Sequence, residues 1–195
     1  AVALVVYNSG IIQRSQTAVT IDGEKYNVAE AAYYYQNAYQ NFISSQSGYL
    51  YTAFGMLDTS KSLKEQNYSE EQTWAEYFQE QAVDTMRFVH AAKAAAAAEN
   101  MSLDSDDLAS FDAAVEARKS EASNYGHSYK SYLAAMYGSV MTPSIYESCL
   151  KDQLLASKYA SAHYDGLTYT DDEIQAYYEE NKDTYDLVDG AYVYL

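Results

Sequence analysis

The feature that most constrains the fold is a long stretch of helical periodicity from Ser69 to Asn100. Ser69 is followed by Glu70, Glu71 and Gln72, a pattern that favours a capped helix start. The positions expected to share one buried face are Trp74, Phe78, Ala82, Thr85, Val89, Ala92 and Ala96. The pattern predicts one helix of about 30 residues and about 45 Å. Because such a helix is longer than a small core, we expect it to support other helices along its length.

The rest of the sequence also favours helices. The 195 residues include a single proline, Pro143, so few positions force a helix to break. Thr142 followed by Pro143 favours a helix start, because proline suits the first helical position. Thr170 with Glu173 predicts a capping box on a short later helix. Together these signals predict a mostly α fold of several helices, with a length that suits one domain or one domain with an appendage.

A short strand pair is expected before the first helix. Apolar residues alternate over residues 19–26 around an Asp-Gly dipeptide, which is typical of tight hairpin turns. Asn27 with Glu30 then predicts a capping box and a helix that ends near Gly48. Residues 48–68 have no clean period and are interpreted as a long loop with one helical turn.

The first helix contains three consecutive tyrosines, which cannot all face one core because successive helical residues point about 100° apart. One apolar face consists of Val28, Ala32, Tyr35, Tyr39 and Phe42. We therefore expect Tyr35 to be buried. Tyr33 and Tyr34 lie off that face and are expected either to pack against a neighbouring helix or to face a bound polypeptide.

Tyrosine is unusually frequent, with 23 residues beside 5 phenylalanines and 1 tryptophan. Most helix-spaced aromatic residues belong to a core, but this number exceeds what a helical core of this size requires. Exposed tyrosine offers adaptable contact area for an extended peptide at low entropic cost. The candidate polypeptide-binding residues are Tyr33, Tyr34, Tyr49, Tyr51 and Tyr68.

The charge of the chain excludes some function classes. It carries 12 Lys and Arg against 28 Asp and Glu, a net charge of −16. This argues against nucleic acid, whose phosphates require a basic surface, and against electrostatic docking on anionic lipid headgroups. No nucleotide-binding, zinc-protease or serine-hydrolase motif is present, so we expect neither a cofactor nor a catalytic residue.

A metal site is not expected either. Asp104, Asp106 and Asp107 lack the glycine and glutamate of a calcium loop, and they suit the first turn of a helix. The three histidines have no ligand partner at helical spacing and are interpreted as surface or packing residues. Cys149 lies on an apolar helix face and is expected to be a small buried residue.

The two ends of the sequence differ in character from its middle. Residues 1–16 begin with an apolar run and reach Arg14, which resembles the outer end of a signal anchor or transmembrane helix. A buried strand or a helix packed on the domain is the alternative. Residues 187–195 are expected to start a following strand or domain. These boundaries leave residues 17–186 as the helical domain.

Two segments resemble a known family. TDDEIQAYYEENKDTY, residues 170–185, is similar to the segment that leads into the parvulin-type domain of extracytoplasmic foldases of the SurA and PrsA type. IDGEKYNVAE, residues 21–30, resembles the start of the N-terminal SurA-like chaperone module of that family. The rest of the chain resembles the family only in helix order. The resemblance implies a multi-helix chaperone module, like the SurA N-terminal and trigger-factor modules, whose N- and C-terminal segments pack together.

The resemblance also implies a function. It implies a module tethered to the membrane at the outer surface of a bacterial cell, which binds unfolded, aromatic-rich polypeptide segments without ATP. Two alternatives stay open. The chain could be the substrate-holding part of a parvulin-type peptidyl-prolyl isomerase, with the catalytic residues after Leu195. It could also belong to a structural or adhesive cell-surface protein built on a helical stalk.

Overall fold

A computed structural model describes residues 15–182, which form seven α-helices and one two-stranded sheet. The predicted mostly α fold is confirmed. The elements in chain order are β1 (Thr17–Ile21), β2 (Glu24–Asn27), α1 (Val28–Ile43), α2 (Gln46–Ala53), a 3-10 turn (Leu63–Glu65), α3 (Trp74–Ala98), α4 (Ser105–Asn124), α5 (Tyr129–Tyr137), α6 (Pro143–Asp165) and α7 (Asp171–Glu180). The chain divides after Ala160 into two compact units. The described part of the second unit holds the end of α6 and all of α7.

Both predicted terminal segments fall largely outside the described residues. Of the predicted anchor segment, residues 1–16, the structure describes only the last two, and residues 187–195 are not described. Within residues 15–182, no helix combines the length and the apolar character needed to cross a bilayer.

The predicted strand pair and its helix cap are present. The strands β1 and β2 pair antiparallel around Asp22 and Gly23, whose φ angles are 49° and 85°. Two successive positive φ angles match the twist of a hairpin. The Asn27 side-chain oxygen then accepts hydrogen bonds from the backbone N–H groups of Ala29 and Glu30, and the Glu30 carboxylate accepts one from the N–H of Asn27. This capping box starts α1 as predicted.

The first helix ends earlier than predicted. The helices α1 and α2 are separated by Ser44 and Ser45, so the prediction of one helix as far as Gly48 is wrong. The Ser44 hydroxyl donates to the carbonyl of Gln40, whereas the Ser45 hydroxyl accepts from the N–H of Gly48. One serine therefore satisfies the end of α1 and the next caps α2. The region predicted as a loop, residues 48–68, accordingly begins inside a helix.

The long central helix is present, but it starts later than predicted. Its N-cap is Thr73, whose hydroxyl accepts from the N–H of Glu76 while the Glu76 carboxylate accepts from the N–H of Thr73. Ser69 does not cap a helix, because the N–H groups of Tyr68 and Ser69 both donate to the carbonyl of Gln72 in a turn. The predicted buried face of α3 is otherwise correct, except that Met86 is buried in place of the half-buried Thr85.

The later caps agree with the sequence. The Thr142 hydroxyl accepts from the N–H of Ile145 at the start of α6. Thr170 and Glu173 form the predicted capping box of α7. These helix starts can be predicted from the sequence because each depends on only two or three neighbouring residues.

The buried residues form two clusters. The first cluster joins the hairpin to α1, α3, α5 and α6, and it contains the buried Cys149, as predicted. The second cluster is smaller and centres on Leu57, Trp74 and Phe78, with the end of α1 and Tyr51 of α2 packed against it. This second cluster, here called the Trp74 cluster, supports the surface described next.

Candidate functional site

Two of the five candidate tyrosines are buried. Tyr33 and Tyr34 are 2% and 3% exposed, whereas Tyr35 is half-buried, so the prediction that Tyr35 is the buried member is wrong. The reason is that α1 is covered on two sides. Its Tyr33 side packs on Tyr137 and Tyr146, and its Tyr35 side meets α3. Because their rings are buried, Tyr33 and Tyr34 pack against neighbouring helices rather than facing a polypeptide.

Two of the other three candidate tyrosines, Tyr51 and Tyr68, lie at the Trp74 cluster. Tyr51 and Tyr68 stack with ring centroids 6.5 Å apart and 29° between their planes. Both rings contact Trp74, at 5.3 Å and 4.8 Å between centroids. Tyr49 lies on α2 with Tyr51 and is 68% exposed, while Tyr68 is 37% exposed. The structure therefore brings Tyr51 and Tyr68 together, whereas Tyr49, two residues before Tyr51 on α2, points to a different side of the helix.

Further exposed apolar side chains lie on α2 and directly after it. Leu50 and Phe54 are 43% and 74% exposed, and Met56 is 48% exposed. With 100° between successive helical residues, Tyr49, Leu50 and Phe54 fall within about 140° on one side of α2. We call Tyr49, Leu50, Phe54, Met56 and Tyr68 together the aromatic surface.

The sequence also indicates this surface by a long run of uncharged residues, which the number of tyrosines alone does not reveal. Residues 31–57 include no charged residue and no histidine, although 21% of the chain is Asp, Glu, Lys or Arg. The exposed positions Leu50, Phe54 and Met56 all lie in that run. An uncharged run that continues over exposed positions indicates a contact surface, because solvent-facing helix positions are ordinarily polar.

The aromatic surface is held close to α1 by a glycine. A Cβ atom on Gly48 would lie 1.9 Å from the carbonyl oxygen of Phe42 and 2.8 Å from the Cα of Ile43. Only glycine permits this approach of α2 to the end of α1. The Phe42 ring then contacts both Tyr51 and Trp74, with centroids 5.7 Å and 5.1 Å apart. The helix that carries Tyr49 is thus seated directly on the aromatic cluster.

The loop after α2 is fixed by a small number of polar contacts. The indole N–H of Trp74 donates to the carbonyl of Met56 at 3.0 Å. The Gln66 side-chain amide accepts from the N–H of Asp58 at 2.7 Å and donates to its carbonyl at 2.9 Å. The hydroxyl and the N–H of Ser60 donate to the Asp58 carboxylate, and they lower its pKa to about 2. These bonds keep Met56 and Tyr68 beside the buried Trp74.

Acidic residues border the aromatic surface. Residues 58–80 contain six carboxylates and two lysines. Glu65, Glu70 and Glu71 are exposed, and within residues 15–182 none of them has a basic group within 4.0 Å. Lys61 is engaged with Asp58 at 3.1 Å. The loop therefore presents a net negative border next to an uncharged aromatic patch.

The second unit has an apolar depression of its own. It has a volume of about 520 Å³ and is lined by Tyr169, Glu173, Ile174 and Tyr177. Its three apolar residues are 56% to 66% exposed. This depression belongs to α7 and the segment before it.

The acidic start of α4 serves a structural purpose. The Asp104 side chain caps the helix by accepting from the N–H groups of Asp106 and Asp107. The Lys158 ammonium of α6 lies 2.6 Å from the Asp104 carboxylate and 2.5 Å from that of Asp107. Among residues 15–182, no group of histidine, cysteine and acidic side chains is arranged to hold a metal ion.

Comparison of the chain with family models, with curated proteins and with solved structures found no match.

Proposed function

We propose that the chain is a chaperone module that binds unfolded, aromatic-rich polypeptide segments without ATP. The proposal includes the setting that the resemblance to SurA- and PrsA-type foldases implies, outside the cytoplasm and tethered to the membrane. The observation that carries it is the aromatic surface, with Tyr49 and Phe54 more than two-thirds exposed on a helix seated on a buried aromatic cluster. Exposed apolar patches of this kind mark interaction sites.

The architecture favours a binding surface that is ready before a client arrives. Gly48 and Trp74 fix α2 and the following loop against the Trp74 cluster, so little ordering is left for the binding step. Tyrosine and phenylalanine rings contribute large apolar areas with few rotatable bonds. The surface has five residues, far fewer than the roughly 20–30 that each partner contributes to a stable interface, so we expect weak and rapidly reversible binding.

The chemistry requires no nucleotide. The sequence has no glycine-rich phosphate-binding loop, and client release is expected to follow from weak affinity alone. The net charge of −16 helps to keep a protein with bound apolar segments in solution, because like-charged complexes repel one another.

The proposal is tested by diluting a chemically unfolded protein into buffer and following light scattering with and without the chain. We expect suppressed aggregation at near-stoichiometric amounts. The double variant Tyr49→Ala with Phe54→Ala removes the two most exposed rings of the surface and should lose most of the suppression. Absence of suppression by the unaltered chain at large excess would contradict the proposal.

A matched variant separates the aromatic surface from exposed aromatic residues in general. Tyr125 is 68% exposed, as Tyr49 is, and Phe88 is 50% exposed on α3. Tyr125→Ala with Phe88→Ala therefore removes the same two ring types from other elements of the first unit. We expect this control to keep the suppression. Equal losses in both double variants would mean that the aromatic surface has no special role.

A further inference from the structure

We propose that the aromatic surface selects client segments in which lysine or arginine flanks apolar and aromatic residues. This inference rests on the proposed function and names the class of polypeptide that the surface prefers. Its basis is the arrangement of an uncharged aromatic patch beside unpaired carboxylates.

The patch and its border differ in charge. Tyr49, Leu50, Phe54 and Met56 all belong to the run of residues 31–57, which has no charged side chain. The charged residues begin again at Asp58, directly after the patch, and most of those as far as Glu80 are acidic. A client that places apolar residues on the patch must place its neighbouring residues near these carboxylates.

Residues 58–73, the loop after the patch, carry four carboxylates against two lysines, Lys61 and Lys64. Asp58 is engaged with Lys61, but Glu65, Glu70 and Glu71 are exposed and have no basic partner in the described part of the chain. Glu65 also lines an open depression of about 490 Å³ together with Met56, Asp58 and the Asp58-paired Lys61. A basic client side chain can enter this space without displacing an existing ion pair of Glu65.

The aromatic rings of the patch also favour a basic client side chain. The face of an aromatic ring attracts a cation within about 6 Å of its centroid. The chain already makes such contacts elsewhere, with the Lys151 ammonium 4.5 Å from the centroid of Phe111. The exposed rings of Tyr49 and Phe54 offer the same contact to a client lysine or arginine. Aromatic faces and carboxylates therefore favour the same sign of charge.

The same border disfavours an anionic membrane as the occupant. The negative surface of a bilayer rich in anionic lipid attracts basic segments. The border beside the patch instead has unpaired glutamates, which such a surface repels. A polypeptide with basic flanks is thus the occupant that fits both the patch and its border.

The test measures the affinity of the whole chain for two fluorescent peptides with one shared Phe- and Leu-rich centre. One peptide carries lysines on both flanks, and the other carries glutamates. Exposed ion pairs each contribute modestly, so several together should make the lysine peptide bind about fivefold to tenfold more tightly at low salt. The preference should nearly vanish near 1 M salt, where the screening length falls to about 3 Å.

A matched pair of variants separates the local border from the net charge of the chain. Glu70→Gln with Glu71→Gln neutralises two exposed border carboxylates that make no hydrogen bond or ion pair within residues 15–182. Asp106→Asn with Asp112→Asn neutralises two exposed carboxylates on α4, which packs against α5. Both variants have the same net charge. We expect the border variant to lose at least half of the preference for lysine flanks and the α4 variant to keep it.

The outcomes distinguish this inference from the proposed function. Tight binding of both peptides without a preference would overturn the inference and leave the chaperone proposal standing. A preference that both variants reduce equally would also overturn it, because the selectivity would then come from net charge. Binding of neither peptide would overturn the proposed function together with the inference. Binding to anionic phosphatidylglycerol vesicles in place of the peptides would have the same effect.

Discussion

The rings of Tyr33 and Tyr137 stack in the first cluster with centroids 5.6 Å apart and 19° between their planes. The Tyr33 hydroxyl donates to the Gln153 side-chain oxygen at 2.6 Å, so its polar end is satisfied within the protein. Burial raises the pKa of the Tyr33 hydroxyl. The chain thus uses tyrosine as a core residue in α1, and as an exposed contact residue at Tyr49 of α2.

This difference predicts that an alanine substitution lowers stability strongly at Tyr33 and hardly at all at Tyr49. Tyr33→Ala should lower the free energy of unfolding by about 3–5 kcal/mol, the range for removing a buried aromatic ring. Tyr49→Ala should change it by no more than about 0.5 kcal/mol, because an exposed ring has little packing to lose. Urea unfolding followed by circular dichroism measures both values. A Tyr33→Ala variant as stable as Tyr49→Ala would show that the stacked ring does not support the core.

The close approach of α2 to α1 predicts that Gly48 tolerates no side chain. Gly48→Ala places a Cβ atom against the backbone of Phe42, so the two helices must separate. We expect a loss of about 1–3 kcal/mol in the free energy of unfolding, the usual cost of overpacking. Ser47→Ala, at the exposed neighbouring position, is the control and should change stability by no more than about 0.5 kcal/mol. Equal stability of both variants in urea unfolding would contradict the packing described here.

The Lys158 ion pairs predict a dependence of stability on acid pH. The hydrogen bond from Lys158 holds the pKa of Asp104 at about 2, below the ordinary value of 3.8. A carboxyl group whose pKa is lower in the folded state stabilises that state at pH values above its unfolded pKa. This stabilisation is lost as the pH falls through the folded pKa. The destabilisation caused by Lys158→Met should therefore be larger near pH 5 than near pH 2.

Urea unfolding at the two pH values measures this difference, with Lys130→Met as the control. Lys130 is an exposed lysine on α5, so its removal should have a small effect that does not vary over this range. An effect of Lys158→Met that is equal at both pH values would contradict the assigned ion pairs.

The buried thiol of Cys149 is expected to react slowly in the folded protein. Burial, reinforced by Glu30 and Asp152, raises its pKa to about 12. Because the thiolate is the reactive form, labelling by a thiol reagent near pH 8 should be at least about 100-fold slower than for an exposed cysteine. Ser148→Cys in a Cys149→Ser background gives that exposed comparison on the same helix. Equal labelling rates before denaturation would show that α6 does not bury position 149.

Local signals in the sequence predicted the helix starts that depend on neighbouring residues. Asn27 with Glu30 and Thr170 with Glu173 form the predicted capping boxes. The predicted start of α3 was wrong because Ser69 and Thr73 are both residue types that cap helices. Thr73 rather than Ser69 caps α3 because a backbone turn closes at Gln72 and a β-bridge joins Asn67 to Thr73. Such backbone pairing is not visible in a cap motif.

The burial of individual tyrosines could not be predicted from periodicity. The helix α1 has two apolar sides, and hydropathy ranks the Tyr33 side no higher than the Tyr35 side because tyrosine itself is half polar. The outcome depends on contacts with Tyr137 and Tyr146, which lie about 100 residues later in the chain. The aromatic surface was likewise found only in part, since its Phe54 and Met56 members lie in a region without helical period.

The most direct test of the central claim is amide hydrogen exchange of the chain with and without an excess of an unfolded test protein. Bound clients slow exchange where they cover the backbone or stabilise it against local opening. We expect slower exchange in residues 46–57 and 66–70, which carry the aromatic surface, and little change in α4. Slower exchange confined to other elements, or no change anywhere while aggregation is suppressed, would contradict the assignment of this surface as the client-binding site.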